Sequence, residues 1–567
     1  MATPSYHQTL LNPTKTTKTT HKILLVFLTL VTLISLAYLG FVTIQVNNSN
    51  PNNTPLSLCE KSHNHTSCLA FLYDGIPNEA ETTSWDSDNG RKMLSTLLSL
   101  HVSDVTKAMY VTKRSNVIGN QAVADCLELM DLSRDRLENT IEKLANNNNN
   151  NKVMYNYDIS NDINIWLSAV LTNHVTCLDQ MEVNNSHLLG IKSIVDDLIL
   201  RARALLAIHT KVSSTNPINV RENLAKKLLT RGVYPSWVRK SDRKLLEVSG
   251  SAVKADVVVA KDGSGKFKTV KEAVAAAPEK GTKRYVIYVK KGVYKENIEV
   301  GKNKKNVMLV GDGMGLTIIT GSQNVVDGST TYNSATLAAV GDGFILQDIR
   351  IENTAGAAKH QAVALRVGAD KSVINRCYID AFQDTLYTHS LRQFFTESTI
   401  TGTVDFIFGN AAVVFQNCQL VARKPMASQK NMVTAQGRTD PNQNTGTSIQ
   451  YCRIVPSGDL APVATQFPTY LGRPWKEYSR TVVLQTNIGG HIDPTGWFPW
   501  DGEFALKTLY YGEYMNSGSG SGTSKRVKWG GFRVISNAVE AKKFTVGQFI
   551  QGQEWLKAAG VNFVEGL

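Results

Sequence analysis

Three regimes of hydrophobic and polar patterning follow one another along this chain. Residues 1–22 are polar and basic, with Lys15, Lys18 and Lys22, and Ile23–Val46 then runs 24 residues without a charge. That length crosses a bilayer with some tilt, and no small-x-small cleavage site follows it. The pattern predicts an uncleaved signal anchor with a cytoplasmic basic tail, a cleaved signal being the alternative. Within 57–215, apolar residues fall at three- and four-residue steps in the segments 94–109, 124–144, 164–181 and 187–208. Four amphipathic helices of this length pack as an all-α four-helix bundle, with the asparagine run 146–151 as a loop. On composition the bundle reads equally as purely structural or as a binding module. Residues 216–250 have the character of a linker, with Pro217, Pro235 and the basic stretch Arg243-Lys244-Leu245-Leu246, a candidate protease site.

From Asp256 to about residue 510 the pattern shortens to Val-, Ile- and Phe-rich runs between Gly-rich turns, which predicts strands. The apolar triplets at 377–379, 398–400 and 418–420 recur every 21 or 20 residues. A period of that size is the mark of stacked coils, here an all-β parallel β-helix whose open end the helical patch 270–278 would cover. Gln361 and Gln383 are 22 residues apart, and Asp384 and Asp405 are 21. Polar residues one period apart sit above one another at about 4.8 Å, so two amides and two carboxylates would form one ladder.

Charge narrows the partner. Residues 251–567 hold 36 Lys and Arg against 26 Asp and Glu, a net +10 of the chain's +13. This half suits a polyanion, and the absence of any zinc-finger, RNP or basic-helix pattern favours an acidic polysaccharide over nucleic acid. Seven cysteines, with sequons at Asn47, Asn52, Asn64 and Asn184, predict secretion, glycosylation and disulfides. Cys126 and Cys177 lie on separate predicted helices that they could staple, and Cys59 and Cys68 would close a hairpin.

Paired carboxylates about 5 Å apart cannot easily both ionise, so one is expected to hold a raised pKa, as general acid and base, and the other a depressed one, as nucleophile. Arg473, in LGRPW, is a candidate to lock one of them by a bidentate pair. Gln361 and Gln383 offer N–H donors where negative charge develops on an ester carbonyl. The reading calls for no metal and no cofactor.

The stretches GVYKENIEV (292–300), HQAVALRV (360–367), FQDTLY (382–387), GTVDFIFGN (402–410) and LGRPW (471–475) resemble, in order, the plant pectin methylesterases. The resemblance implies a right-handed parallel β-helix over a catalytic domain at 251–567. It implies Asp405 as nucleophile on a galacturonate methyl ester and Asp384 as acid and base. It further implies Gln361 and Gln383 as oxyanion donors and Arg473 as holder of the nucleophile, with Trp475 and Trp497 along the sugar groove. The substrate would be methylesterified homogalacturonan. The first half resembles the family's inhibitor-like pro-region around Cys126 and Cys177, although the Tyr-Pro pair expected between Cys59 and Cys68 is missing. The implied pairings are Cys59–Cys68, Cys126–Cys177 and Cys418–Cys452, leaving Cys377 free. The resemblance also implies protease cleavage after Leu246, a pro-region partner within the chain, and a mature enzyme in the cell wall. Two competing readings remain at this level. One is a β-helical lyase or polygalacturonase on the same polymer, and the other a non-enzymatic inhibitor or wall-binding protein with an inert solenoid.

Overall fold

A computed structural model describes residues 55–75, 87–114, 120–146, 157–181, 188–214 and 254–567. The predicted anchor at 23–46, the basic site at 243–246, and the sequons at Asn47, Asn52 and Asn184 lie outside the described residues. Among those residues, no helix is long and apolar enough to cross a membrane.

The four predicted helices form and are longer than their apolar periods: α1 Ser87–Arg114, α2 Gln121–Asn146, α3 Tyr157–Gln180 and α4 Leu189–Ser214. Their apolar stripes meet in a core that includes Leu97, Leu129, Leu167 and Leu205, each fully buried. Short helices at Pro55–Leu58 and His65–Gly75 form the N-terminal hairpin, closed by Cys59–Cys68, while Cys126–Cys177 ties α2 to α3. Asn64 is exposed and caps the second short helix, its Oδ1 accepting the Ser67 N–H at 2.9 Å. Cys126–Cys177 closes a loop of 51 residues. Replacing both cysteines by alanine is therefore expected to cost the bundle about 4 kcal/mol. Helix-specific circular dichroism in urea should show an earlier helical transition with the β transition unmoved.

The second half is a parallel β-helix whose coils are built from three sheets of 11, 8 and 7 strands. Each coil lays one strand on each wall, as in Ile345–Gln347, Arg350–Asn353 and Leu365–Val367, and every pairing in these walls is parallel. Inward residues such as Leu346, Ile379, Phe395, Phe415 and Ile449 are fully buried and fill the lumen. The helix Val270–Ala275, capped by the Thr269 side chain, closes the first coil as its sequence suggests. The solenoid runs past the predicted end near 510, adding the paired strands Tyr510–Tyr514 and Phe532–Val534.

One disulfide expectation is corrected. Cys377, Cys418 and Cys452 are free buried thiols. Cys418 and Cys452 are in contact on adjacent coils as thiols, the Cys418 N–H donating to Cys452 Sγ at 3.4 Å, and each sulfur also has backbone carbonyls as partners. Cys418 Sγ donates to Gln416 O at 3.5 Å, and Cys452 Sγ to Gln450 O at 3.3 Å.

The bundle lies directly on the solenoid. α2 and α3 pack over the outer face of the seven-stranded wall, where Tyr332, Ala338, Val363, Tyr387, Phe408 and Ala435 join the bundle's own apolar core.

Candidate active site

The turns leading from the eight-stranded wall to the seven-stranded wall stack in register. Leu386 pairs with Ile407, which sets Asp384 level with Asp405, and Gln361 bridges to Gln383. The four predicted residues therefore share one edge of one wall. Both aspartates have left-handed backbone, φ 62° at Asp384 and 51° at Asp405, a conformation non-glycine residues adopt at a cost that surrounding structure must impose. Beside Asp384, the Thr385 hydroxyl lies 2.8 Å from Thr401 O and 3.1 Å from Phe382 O, tying this turn to the next coil. Gly402, the first residue of GTVDFIFGN, is required by space: a Cβ there would fall 2.3 Å from Phe406 Cβ and 2.5 Å from Thr385 Oγ1.

Arg473 lies on the strand Thr469–Pro474 and reaches back to the acid pair. Its Nε donates to Asp405 Oδ1 at 2.8 Å and its Nη2 to Oδ2 at 2.6 Å, a bidentate clamp. Gly472 lets this strand approach, since a Cβ there would fall 2.1 Å from Thr434 Oγ1. Burial raises the pKa of both aspartates, as a low-dielectric surrounding disfavours charge, so neither is depressed, against the sequence expectation for one of the pair. Asp384 is raised further, well above the usual carboxylate range, because after burial the charge of Asp405 adds to the effect and no cation is bonded to it. At Asp405 the two Arg473 hydrogen bonds oppose burial. The pair is therefore asymmetric: Asp384 is the more readily protonated, and the Arg473 clamp favours the carboxylate form of Asp405. Among the described residues neither Gln361 nor Gln383 has a protein partner for its carboxamide, so both are available to a ligand.

The floor beside these groups is aromatic. Tyr387 and Phe408 stack with centroids 4.2 Å apart, and Trp475 stands edge-on to both at 6.4 and 5.9 Å. Trp475 is thus part of the aromatic cluster beside the acid pair. Trp497 does not: it is 1% exposed, stacks on Tyr511 at 4.2 Å and donates its indole N–H to Glu513 at 3.2 Å, so it is a core residue. Trp500, which sequence reasoning passed over, is exposed instead and lies 4.3 Å from the Arg473 guanidinium. Tyr387 and Phe408 were also missed, although each stands three residues after its aspartate at the same spacing of 21.

The bundle's acidic face meets cationic residues of the solenoid. Glu128 accepts from Tyr332 and pairs with Arg366, Asp162 pairs with Arg392 at 2.7 Å, and Asp179 pairs with Lys476 at 2.6 Å. One pair is reversed, Arg136 donating to both oxygens of Asp342. His389 is buried against Thr176, its Nε2 3.0 Å from the hydroxyl, and burial, with Arg366 nearby, pushes it down to about 3, so it docks as a neutral ring.

The pectinesterase family profile matches residues 256–553, and the plant invertase/pectin methylesterase inhibitor profile matches 53–210. Pectinesterase 2.1 of Solanum lycopersicum is 55% identical over 516 residues, covering 90% of each chain. Pectinesterase/pectinesterase inhibitor 18 of Arabidopsis thaliana is 55% identical over 543 residues, 93% of this chain and 94% of its own. A solved structure, pectin methylesterase from carrot, is 65% identical with a TM-score of 0.55, covering 56% of this chain and 99% of its own. With the family match spanning its whole solenoid and full-length relatives of this identity, the chain belongs to the pectinesterase family of carboxylic ester hydrolases and carries an inhibitor-family domain ahead of its catalytic part.

Proposed function

We propose that this protein hydrolyses the methyl esters of homogalacturonan in the plant cell wall, with Asp405 as nucleophile and Asp384 as general acid and base. The observation that carries the reading is the asymmetry of the acid pair: one carboxylate is clamped by Arg473, the other is buried without a bonded cation. The pectin methylesterase names of its relatives supply the substrate class.

In this reading an Asp405 oxygen attacks the ester carbonyl carbon and the C=O electron pair moves onto oxygen. Gln361 and Gln383 donate N–H to that oxyanion. As the tetrahedral species collapses, Asp384 protonates the methoxy oxygen, the C–O bond breaks and methanol leaves, with the acyl group now on Asp405. Asp384, a carboxylate at this point, takes a proton from water as that water attacks the acyl carbon. Expulsion of Asp405 yields the free acid and restores both aspartates. Trp475 binds the sugar with Tyr387 and Phe408.

The clamp makes a pH prediction. Arg473 lowers the pKa of Asp405, so the acidic limb of the rate profile reports Asp405 losing its charge and the basic limb Asp384 losing its proton. Arg473→Lys, which cannot form the bidentate pair, is expected to move the acidic limb to higher pH and lower kcat by about tenfold to a hundredfold. A profile with an unmoved acidic limb would detach Arg473 from the nucleophile.

The bundle, in the same reading, is an inhibitor in cis: it covers the aromatic floor at Tyr387, Phe408 and Trp475. Cleavage in the basic linker by a protease of the secretory route would then allow it to leave. Methanol release from methylesterified homogalacturonan by the 247–567 portion, beside its Asp405→Asn variant and the full chain, tests the whole scheme.

A further inference from the structure

The stack of turns that carries the acid pair continues past it. The next turn along the axis, residues 423–430, holds Lys424 and Lys430, and the following turns bring Phe467, Phe498 and Trp500 to the same side. Lys424 Nζ lies 5.7 Å from the centroid of the Phe467 ring and Lys430 Nζ 4.3 Å from that of Phe498. Tyr470 braces Phe498, with centroids 4.9 Å apart. Both lysines are exposed, and among the described residues neither ammonium has a carboxylate or hydrogen-bond partner.

Their neighbours are engaged. Arg423 pairs with Asp380 at 2.9 Å and Arg473 with Asp405. The acids of the same turns are folded onto their own loops, Asp459 taking the Ser457 hydroxyl and Asp493 the N–H and hydroxyl of Thr495 at 2.9 and 2.6 Å. The register fixes the position relative to the nucleophile. Ile407 pairs with Thr434, so Asp405 is level with Met432 and Lys430 stands two residues back, one strand spacing of about 4.8 Å along the axis.

An ammonium held on an aromatic face without a counter-ion is preorganised for a carboxylate, and the neighbouring ring suits the C–H face of a pyranose. We propose that Lys424 and Lys430, seated on Phe467 and Phe498, form a subsite for the free carboxylates of galacturonate units already de-esterified. The proposal rests on the esterase reading above. The subsite lies on the C-terminal side of Asp405 along the axis. Among the described residues, the bundle contacts above do not include these two lysines, and both are exposed.

Two measurements test it. In the activated enzyme, the ratio of kcat/KM on partly de-esterified to fully esterified galacturonate oligomers should fall about tenfold in the K424Q/K430Q double variant, and stay within about twofold in K424R/K430R. An unchanged ratio, or an equal fall in both double variants, overturns the proposal. In the full chain, calorimetry with unesterified oligogalacturonate should show binding that K424Q/K430Q weakens about tenfold and that salt weakens in the unsubstituted chain. Binding that is absent, or indifferent to the substitution, overturns it. Release of methanol from neither oligomer by the unsubstituted enzyme would instead overturn the esterase reading, with the full-chain binding still deciding the subsite.

Discussion

Asp405→Asn is expected to lower kcat for methanol release by at least about 10⁴-fold while leaving binding of the polymer measurable. Two losses combine. The amide is a far poorer nucleophile than the carboxylate, and removing the Asp405 charge removes one of the two influences that keep Asp384 protonated. Arg473 then faces a neutral group and draws Asp384 toward its charged form, so the general acid is lost with the nucleophile. Asp384→Asn keeps the nucleophile and its clamp, and the expected loss is smaller, about 10² to 10⁴-fold, as for a positioned proton donor. Single-turnover methanol release with both variants checks the order. Comparable activity in Asp405→Asn and the unsubstituted enzyme would remove the proposed nucleophile.

The full chain is expected to release methanol at least about 100-fold more slowly than the 247–567 portion, the ratio for a site uncovered in about 1% of molecules. The carrot structure covers 56% of this chain and 99% of its own, a length close to that of this portion. The covering interface combines an apolar floor with ion pairs of opposite sign on the two halves, Asp162 with Arg392 and Asp179 with Lys476 among them. Arg392 is 1% exposed and shared between Asp370 and Asp162. Asp162→Ala should therefore leave a buried cation with one partner fewer and weaken docking, and the full chain carrying it should recover part of the missing activity. Equal rates for the full chain and the portion would mean that the bundle does not inhibit and serves folding or transit alone.

Periodicity by itself determined the two architectures, because helical steps of three and four residues and strand runs recurring every 20 or 21 each leave one way to bury the apolar residues. The same spacing brought Gln361 and Gln383, and Asp384 and Asp405, together before any coordinates, since in a stack of coils separation along the chain by one period is adjacency in space. The protonation of the pair was not legible. Which aspartate keeps the proton depends on burial and on Arg473, which lies 68 residues from Asp405 along the chain and reaches it only by folding. Side-chain direction was equally out of reach: Trp497 and Trp500 differ in sequence by three positions, yet one is walled in by Tyr511 and Glu513 while the other lies over Arg473. Cys418 and Cys452 fell on stacked positions as the period requires, but they are in contact as thiols, with local carbonyls as further partners. Of the left-handed residues at the bends from the 11-stranded to the 8-stranded wall, Asp348 and Asn417 are types that favour that conformation, but Arg376, Glu397 and Tyr451 are not. There the closed geometry of the coil sets the backbone, and only the tertiary structure could have decided it.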